Sequence, residues 1–202
     1  MSAAPYPASA RLGETFFAHP VEDVAEALLG KVLVHRDREG LVALRLVEVE
    51  AYRGEGQDEA SHAHRGPTPR NHQMFETPGR LYVYLCYGVH HCLNVVCEAE
   101  GRAAAVLLRG AEVLSGGSIL ARRRGHAGYG IANGPGKLAQ ALGADLGWDG
   151  RSLLAGETGF WPGPSPGEIR QTTRIGISRG RSDLLRFFDP ASRCVSRARP
   201  VL

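Results

Sequence analysis

The chain has 202 residues and a mass of 21.7 kDa, the size of a single domain. Its 43% apolar and 22% charged residues exclude wholesale disorder. No apolar run approaches the ~20 residues a membrane helix needs. The net charge of +3 conceals a bias: arginine supplies 22 of the 24 basic residues, and the lysines are Lys31 and Lys137.

Met1–Ala10 lacks a basic stretch followed by an apolar core, so no secretory signal is expected. Four cysteines are too few for a disulfide framework and fit a reducing cytoplasm. Residues 1–13 are expected to be a flexible lead-in and 14–202 a single domain. Pro20 to Gly30 reads as a helix, with Glu22 and Asp23 near its positive end and Val21, Val24, Leu28 and Leu29 at core spacing. Lys31–Arg36 and Leu41–Tyr52 read as strands joined by a turn at Glu39-Gly40. Leu81–Cys86 and Leu93–Cys97 form a second strand pair, followed by a strand at Ala103–Arg109. Pro135–Leu142 is a short helix closed by Gly143, and Gly156–Gly167 reads as a surface loop. Strands at Thr173–Ser178 and Leu184–Asp189 complete an α+β domain: a curved, largely antiparallel sheet, flanking helices and a protruding hairpin.

Charge is laid out unevenly. Glu48, Glu50, Glu55, Asp58 and Glu59 gather in twelve residues, while Arg170–Leu202 holds eight arginines against Asp183 and Asp189. Arg122–Arg124 form a second basic cluster. An acidic centre with basic flanks suits a polyanionic substrate, and equally a solvated surface. Strand alternation puts Val42, Leu44, Leu46, Glu48, Glu50 and Tyr52 on one face. A glutamate at the edge of such an apolar stripe is partly desolvated, which favours general-base chemistry. The same spacing also describes two carboxylates emerging into solvent.

Asp58–His64 and the Cys86, His90, His91, Cys92, Cys97 group lack metal-site spacing, and no metal is expected. Tyr87 precedes Gly88 where the chain must turn and is followed by Val89. That is the form of a wedge for a base stack, or of a surface tyrosine beside a core strand. Asn133-Gly134-Pro135-Gly136-Lys137 fails the phosphate-loop pattern because Leu138 occupies the Ser/Thr position. It remains a helix start with free amides and a lysine.

Several phrases carry a family resemblance: Ala27–Val34, Val47–Tyr52, Asp58–His62, Thr68–Asn71 running to Met74-Phe75, and Pro78–Tyr84. Tyr87-Gly88, Asn94, Val106–Arg109, Gly134–Leu138, Arg174–Gly176 and Leu185–Phe187 follow in order. Together they resemble the alkyladenine DNA glycosylases, the 3-methyladenine DNA glycosylases unrelated to the helix-hairpin-helix repair enzymes. The resemblance spans about residues 14–196. It implies that Glu50 is the general base and that Arg109 and the Ile175 carbonyl help hold the water. Tyr52, His62 and Tyr84 would wall a base pocket, and Asn94 would crowd the exocyclic amine of guanine. Tyr87, with Val89, would intercalate; Arg70, Gly136, Lys137 and Gly176 would meet the DNA backbone. Glu48 is expected to be structural.

The implied activity is a cofactor-free, monofunctional glycosylase of base excision repair. It would flip alkylated or deaminated purines from double-stranded DNA and leave an abasic site, as a monomer at the nucleoid of a bacterial cytoplasm. Three departures stand out: an inserted residue in the Gly54–Gln57 region, Gly136 in place of a common serine, and His90-His91 where an apolar or aromatic residue is usual. A non-catalytic nucleic-acid-binding module of the same fold is the alternative, but it has no use for Glu50 with Arg109. A small-molecule nucleoside hydrolase would leave Tyr87 idle.

Overall fold

The computed structural model describes residues 5–196. A one-turn helix, α1 (Glu14–Phe17), leads to α2 (Val21–Leu28), which has Pro20 at its N-cap and Glu22 and Asp23 in its first turn. Carboxylates there face the positive end of the helix dipole. Val21, Val24, Ala25 and Leu28 are buried against the sheet, at the spacing that an amphipathic helix requires. β1 (Val32–Asp37) and β2 (Gly40–Tyr52) pair antiparallel through a tight turn at Arg38 and Glu39. β3 (Leu81–Cys86) and β4 (His90–Val96) form a second hairpin. β5 (Ala105–Ser115) follows and is longer than the expected Ala103–Arg109.

An unanticipated helix, α3 (Gly117–Arg124), packs beside α4 (Pro135–Leu142), and both end on left-handed glycines. β6 (Thr158–Trp161), β7 (Arg170–Thr172) and β8 (Arg186–Phe188) complete the chain. The sheet order is β3-β4-β5-β2-β1-β6, with β8 joined to β2 and β7 to β8. Every described pairing is antiparallel, so the α+β class stands.

β2 is the organising strand. β5 runs along one of its edges, while β1 takes Gly40–Arg45 and β8 takes Glu48–Glu50 on the other. Its side chains do not alternate without interruption. The core residues run Val42, Leu44, Leu46 and then Val49, Ala51. Parity changes at a register shift: Leu46 pairs with Ala111 and Glu48 with Gly110, so Val47 is an extra residue. The next shift, from Glu48–Gly110 to Val49–Leu108, makes Arg109 the extra residue on β5. The expected single face therefore splits. Val42, Leu44 and Leu46 lie on the helix-covered side, while Glu48, Glu50 and Tyr52 face away from it, with Arg109 aimed at them. Bulges re-aim side chains in this way.

Three other expectations change. The Gly156–Gly167 loop contains β6, whose four residues are buried and pair with β1. Phe160 packs near Phe17, with ring centroids 6.2 Å apart, so core burial overrides the surrounding Gly/Pro signal. The segment Thr173–Ser178 is not a strand; pairing stops at Thr172, and Arg174 is instead bonded to Asp58 and the Ala51 carbonyl. The last strand is shorter than Leu184–Asp189. Within 1–13, the described residues pack on β6: Tyr6 lies edge-on to Trp161, and Trp161 Nε1 donates to the Pro7 carbonyl at 2.8 Å.

Phe160 is fully buried where α1 meets the sheet. Phe160→Ala is expected to lower unfolding free energy by about 3–5 kcal/mol in urea denaturation, because a large buried ring leaves a cavity.

Candidate active site

The extra residue at Arg109 brings a guanidinium between two fully buried carboxylates. Arg109 Nε donates to Glu48 Oε1 at 3.0 Å, and Nη1 donates to Glu50 Oε2 at 3.1 Å. Isolated charges in such a place would be costly; each here is neutralised and hydrogen-bonded. Glu48 also accepts from Arg186 Nε at 2.7 Å, Ser196 Oγ at 2.7 Å and the Ser196 N–H at 2.5 Å. Gly110 makes room for it: a Cβ there would lie 3.1 Å from the Glu48 Cβ and 2.8 Å from the Cys194 carbonyl oxygen. Glu48 is thus saturated by protein donors.

Glu50 is held differently. Oε2 accepts from Arg109 and from the Tyr52 hydroxyl at 3.0 Å, and Oε1 accepts from the Ile175 N–H at 2.8 Å. Three donors meet a carboxylate with about four lone-pair directions, so one remains for a further donor such as water. Burial, with the Glu50 charge beside it, pushes the Tyr52 phenol well above its usual value and keeps it a donor. The desolvated carboxylate at the edge of an apolar stripe, expected above, is instead a buried one beside a cation.

Tyr52, Arg109 and Ile175 form part of the wall of a cavity of about 460 Å³. This lies within the range of small-ligand pockets. Tyr82 and Tyr84 from β3, Cys92 and Asn94 from β4, and Ala105 and Leu107 from β5 supply the sheet side. His62 faces Tyr84 with ring centroids 4.6 Å apart, and its Nδ1 is 2.8 Å from the Tyr82 hydroxyl. Desolvation against these rings, then the Arg70 charge, holds the imidazole below its usual value, although its outer edge reaches solvent. Burial pushes the Tyr82 phenol up to about 12, so a neutral aromatic cluster results at neutral pH. Asn94 Nδ2 is spent on the Tyr82 carbonyl at 3.0 Å.

The opposite rim is fixed by Asp58 and Arg174, both fully buried at the side chain. Arg174 Nη1 and Nη2 donate to Asp58 at 2.5 and 2.8 Å, and the guanidinium lies 4.6 Å from the Tyr52 ring centroid. This pair sets the neighbouring Ile175 N–H against Glu50. Burial opposes ionisation of Asp58, but the Arg174 bonds and charge, together with the Ala60 and Arg53 N–H groups, outweigh it and hold the carboxyl below its usual value.

At the cavity mouth, Tyr87 is 85% and Val89 69% exposed. Tyr87 has φ of 50° and Gly88 of 70°, and the Val89 N–H donates to the Cys86 carbonyl at 3.2 Å. Both central residues of this Cys86–Val89 turn are thus left-handed, a conformation glycine adopts freely and tyrosine does not. A tyrosine in this conformation costs on the order of 1 kcal/mol.

Most residues singled out from sequence therefore meet at one place. Tyr52, His62, Arg70, Tyr84, Tyr87, Asn94, Arg109, Ile175 and Gly176 line the cavity, and Glu50 lies fully buried directly behind that lining, bonded to Tyr52, Arg109 and Ile175. Lys137 lies outside the lining, exposed, with Nζ donating to Asn133 Oδ1 at 2.8 Å. Gly136 sits against His90, and Val89 is at the hairpin tip. The contact made by Ile175 to the carboxylate is through its N–H. Sequence reasoning missed Arg174, Arg186 and Ser196 as supports, and Tyr82 and Arg179 as lining. Arg174 and Asp58 are 116 residues apart, which leaves no local signal. The Arg122–Arg124 cluster is engaged within the protein by Glu39, Asp37, Gln140 and the Ile131 carbonyl. Arg197 and Arg199 lie outside the described residues.

The contribution of Asp58 to stability should be present above its unfolded pKa of about 3.9 and vanish as pH falls through its lower folded value. Unfolding free energy followed against pH should show that acid-side loss in the wild type, and Asp58→Asn should remove it.

The methylpurine-DNA glycosylase family matches residues 15–193. A provisionally named 3-methyladenine DNA glycosylase of Rubrobacter xylanophilus is 53% identical over 156 residues, covering 76% of this chain and 80% of its own. One of the same name from Methanocella arvoryzae is 43% identical over 195 residues, covering 94% and 97%. Another, from Chlorobaculum parvum, is 47% identical over 193 residues, covering 94% and 92%. With that match over most of its length and relatives 43–53% identical, this chain belongs to the methylpurine-DNA glycosylase family.

Proposed function

We propose that the chain is a monofunctional DNA glycosylase of base excision repair, removing alkylated or deaminated purines from double-stranded DNA by hydrolysis. The observation that carries this reading is the junction of Glu50, held by three donors, with an aromatic cavity and the strained, exposed Tyr87.

A purine inside a duplex is shielded at its sugar carbon, so the nucleotide must leave the stack before water can reach it. Tyr87 and Val89 are the groups that enter the gap, since an aromatic face replaces part of the lost stacking. Arg70 and Arg179 at the cavity rim, with Lys137 and the start of α4, meet the phosphates. The extruded purine stacks among Tyr52, His62 and Tyr84. Alkylation at N3 or N7 places positive charge on the purine, which aromatic faces attract. A neutral His62 adds no opposing charge. Asn94, on the cavity wall, is the group that would crowd the exocyclic amine of guanine.

Water occupies the remaining lone-pair direction of Glu50, within reach of Arg109 and of the Ile175 carbonyl. As the glycosidic bond lengthens, positive charge grows on the sugar and the Glu50 carboxylate stabilises it. Water adds to C1′, its proton passes to Glu50, and the bonding pair departs with the purine. An alkylated, cationic base leaves as a neutral one; a neutral base such as hypoxanthine leaves as its anion and takes up a proton from solvent water to become the free purine. The products are the free purine and an abasic sugar. Backbone nicking would need an amine able to form a Schiff base. Lys31 and Lys137 both lie away from the cavity lining, which supports hydrolysis alone.

Glu50→Gln should slow single-turnover base release from duplexes carrying 3-methyladenine, 7-methylguanine, hypoxanthine or 1,N6-ethenoadenine by at least roughly a hundredfold, the scale of a lost general base. Duplex binding should persist. Undiminished release by this variant would remove Glu50 from the mechanism, and no release by the wild type from any of the four would remove the enzyme reading.

A further inference from the structure

We propose that Gly136 and His90 form a steric brace that sets where the Tyr87 hairpin stands over the cavity, making both positioning residues for base extrusion. This inference rests on the function proposed above and deepens it.

The hairpin stands on two arms with little beneath its tip. Cys86 pairs with His90 at the base of the turn, leaving Tyr87, Gly88 and Val89 beyond it. A Cβ placed on Gly88 would meet nothing within 4 Å. The β3 arm is steadied by Arg70, whose Nη2 donates to the Leu85 carbonyl at 3.4 Å. The β4 arm leans on α4. A Cβ on Gly136 would lie 2.9 Å from the His90 Cβ, 3.0 Å from Cγ and 3.4 Å from Nδ1.

The identity of those atoms matters. The nearest of them, Cβ, is the root of the His90 side chain, and no rotamer change moves it clear of Gly136. Relief would require β4 to shift at its first residue, three positions from Tyr87. The body of α4 is anchored against it, because Leu138, Ala139, Ala141 and Leu142 are buried and the helix packs on β4 and β5. Pro135, the first residue of α4, also lines the cavity, so one helix end touches both the pocket and the hairpin that guards it. The two sequence departures noted above are thus one feature: the missing side chain at position 136 is the space that His90 occupies.

The brace separates two effects that a glycine substitution usually mixes. On helix propensity alone, alanine at position 136 would stabilise α4. If the contact with His90 governs instead, alanine will displace the hairpin. Moving the Cβ across the contact, with Gly136→Ala and His90→Gly together, should restore the fit.

The test uses the full chain in two assays. Hydrogen exchange of residues 85–91, without DNA, reads the hairpin. Single-turnover release of hypoxanthine, with 2-aminopurine fluorescence beside the lesion, reads extrusion. Gly136→Ala should speed exchange at 85–91 and reduce both fluorescence gain and release rate about tenfold, with thermal midpoint near wild type. The double variant should recover most of both losses. Wild-type exchange in Gly136→Ala, or losses that His90→Gly does not relieve, would overturn the brace. Failure of the wild type to release any base would instead overturn the function, and the DNA-free exchange comparison would still decide the contact.

Discussion

The site depends on one guanidinium shared between two buried carboxylates. Arg109 faces Glu48 through Nε and Glu50 through Nη1, and none of the three could be buried alone without a penalty of several kcal/mol. The two glutamates, two residues apart, have opposite fates. Glu48 is consumed by Arg109, Arg186 and Ser196, and so ties β5, β8 and the Ser196 segment to β2. Glu50 keeps one lone-pair direction and is held by groups that themselves form the cavity wall. Structural saturation of the first carboxylate is what lets the guanidinium hold the second in one place.

This arrangement exists because two strands each carry an extra residue at the same point. Val47 on β2 turns the carboxylates away from the helix-covered core, and Arg109 on β5 is turned to meet them. Without the pair of bulges, continuous alternation would aim Glu48 and Glu50 into the packed apolar layer. Around this centre, Asp58 and Arg174 position Ile175, and the hairpin presents Tyr87. Each supports the same site from a different stretch of chain.

Much of this was legible before the fold was known. The β1–β2 and β3–β4 hairpins, α2 and α4 follow from local pattern, because turn chemistry and apolar spacing are local properties. The Tyr87-Gly88 turn was readable for the same reason. The bulges were not: alternation shows that Glu48, Glu50 and Tyr52 share a face, but not that Leu46 has left it. β6 was hidden because four buried residues sit among glycines and prolines, and their partner, β1, is distant in sequence. The Asp58–Arg174 and Glu48–Arg186 pairs span 116 and 138 residues, where only the folded chain makes partners of them. Resemblance to known glycosylases singled out Glu50, but the reason Glu48 is different lies in the count of donors around each.

The most direct test is Arg109→Lys, which keeps the charge but cannot reproduce three fixed N–H contacts with Glu48, Glu50 and Ser196 at once. Measured as single-turnover base release alongside duplex affinity, the variant should bind damaged DNA nearly as well as the wild type. Its release should be slower by at least about tenfold, equivalent to one misplaced charge-assisted hydrogen bond. Release at the wild-type rate would contradict the account, because a point charge would then suffice where a shared guanidinium is held to be necessary.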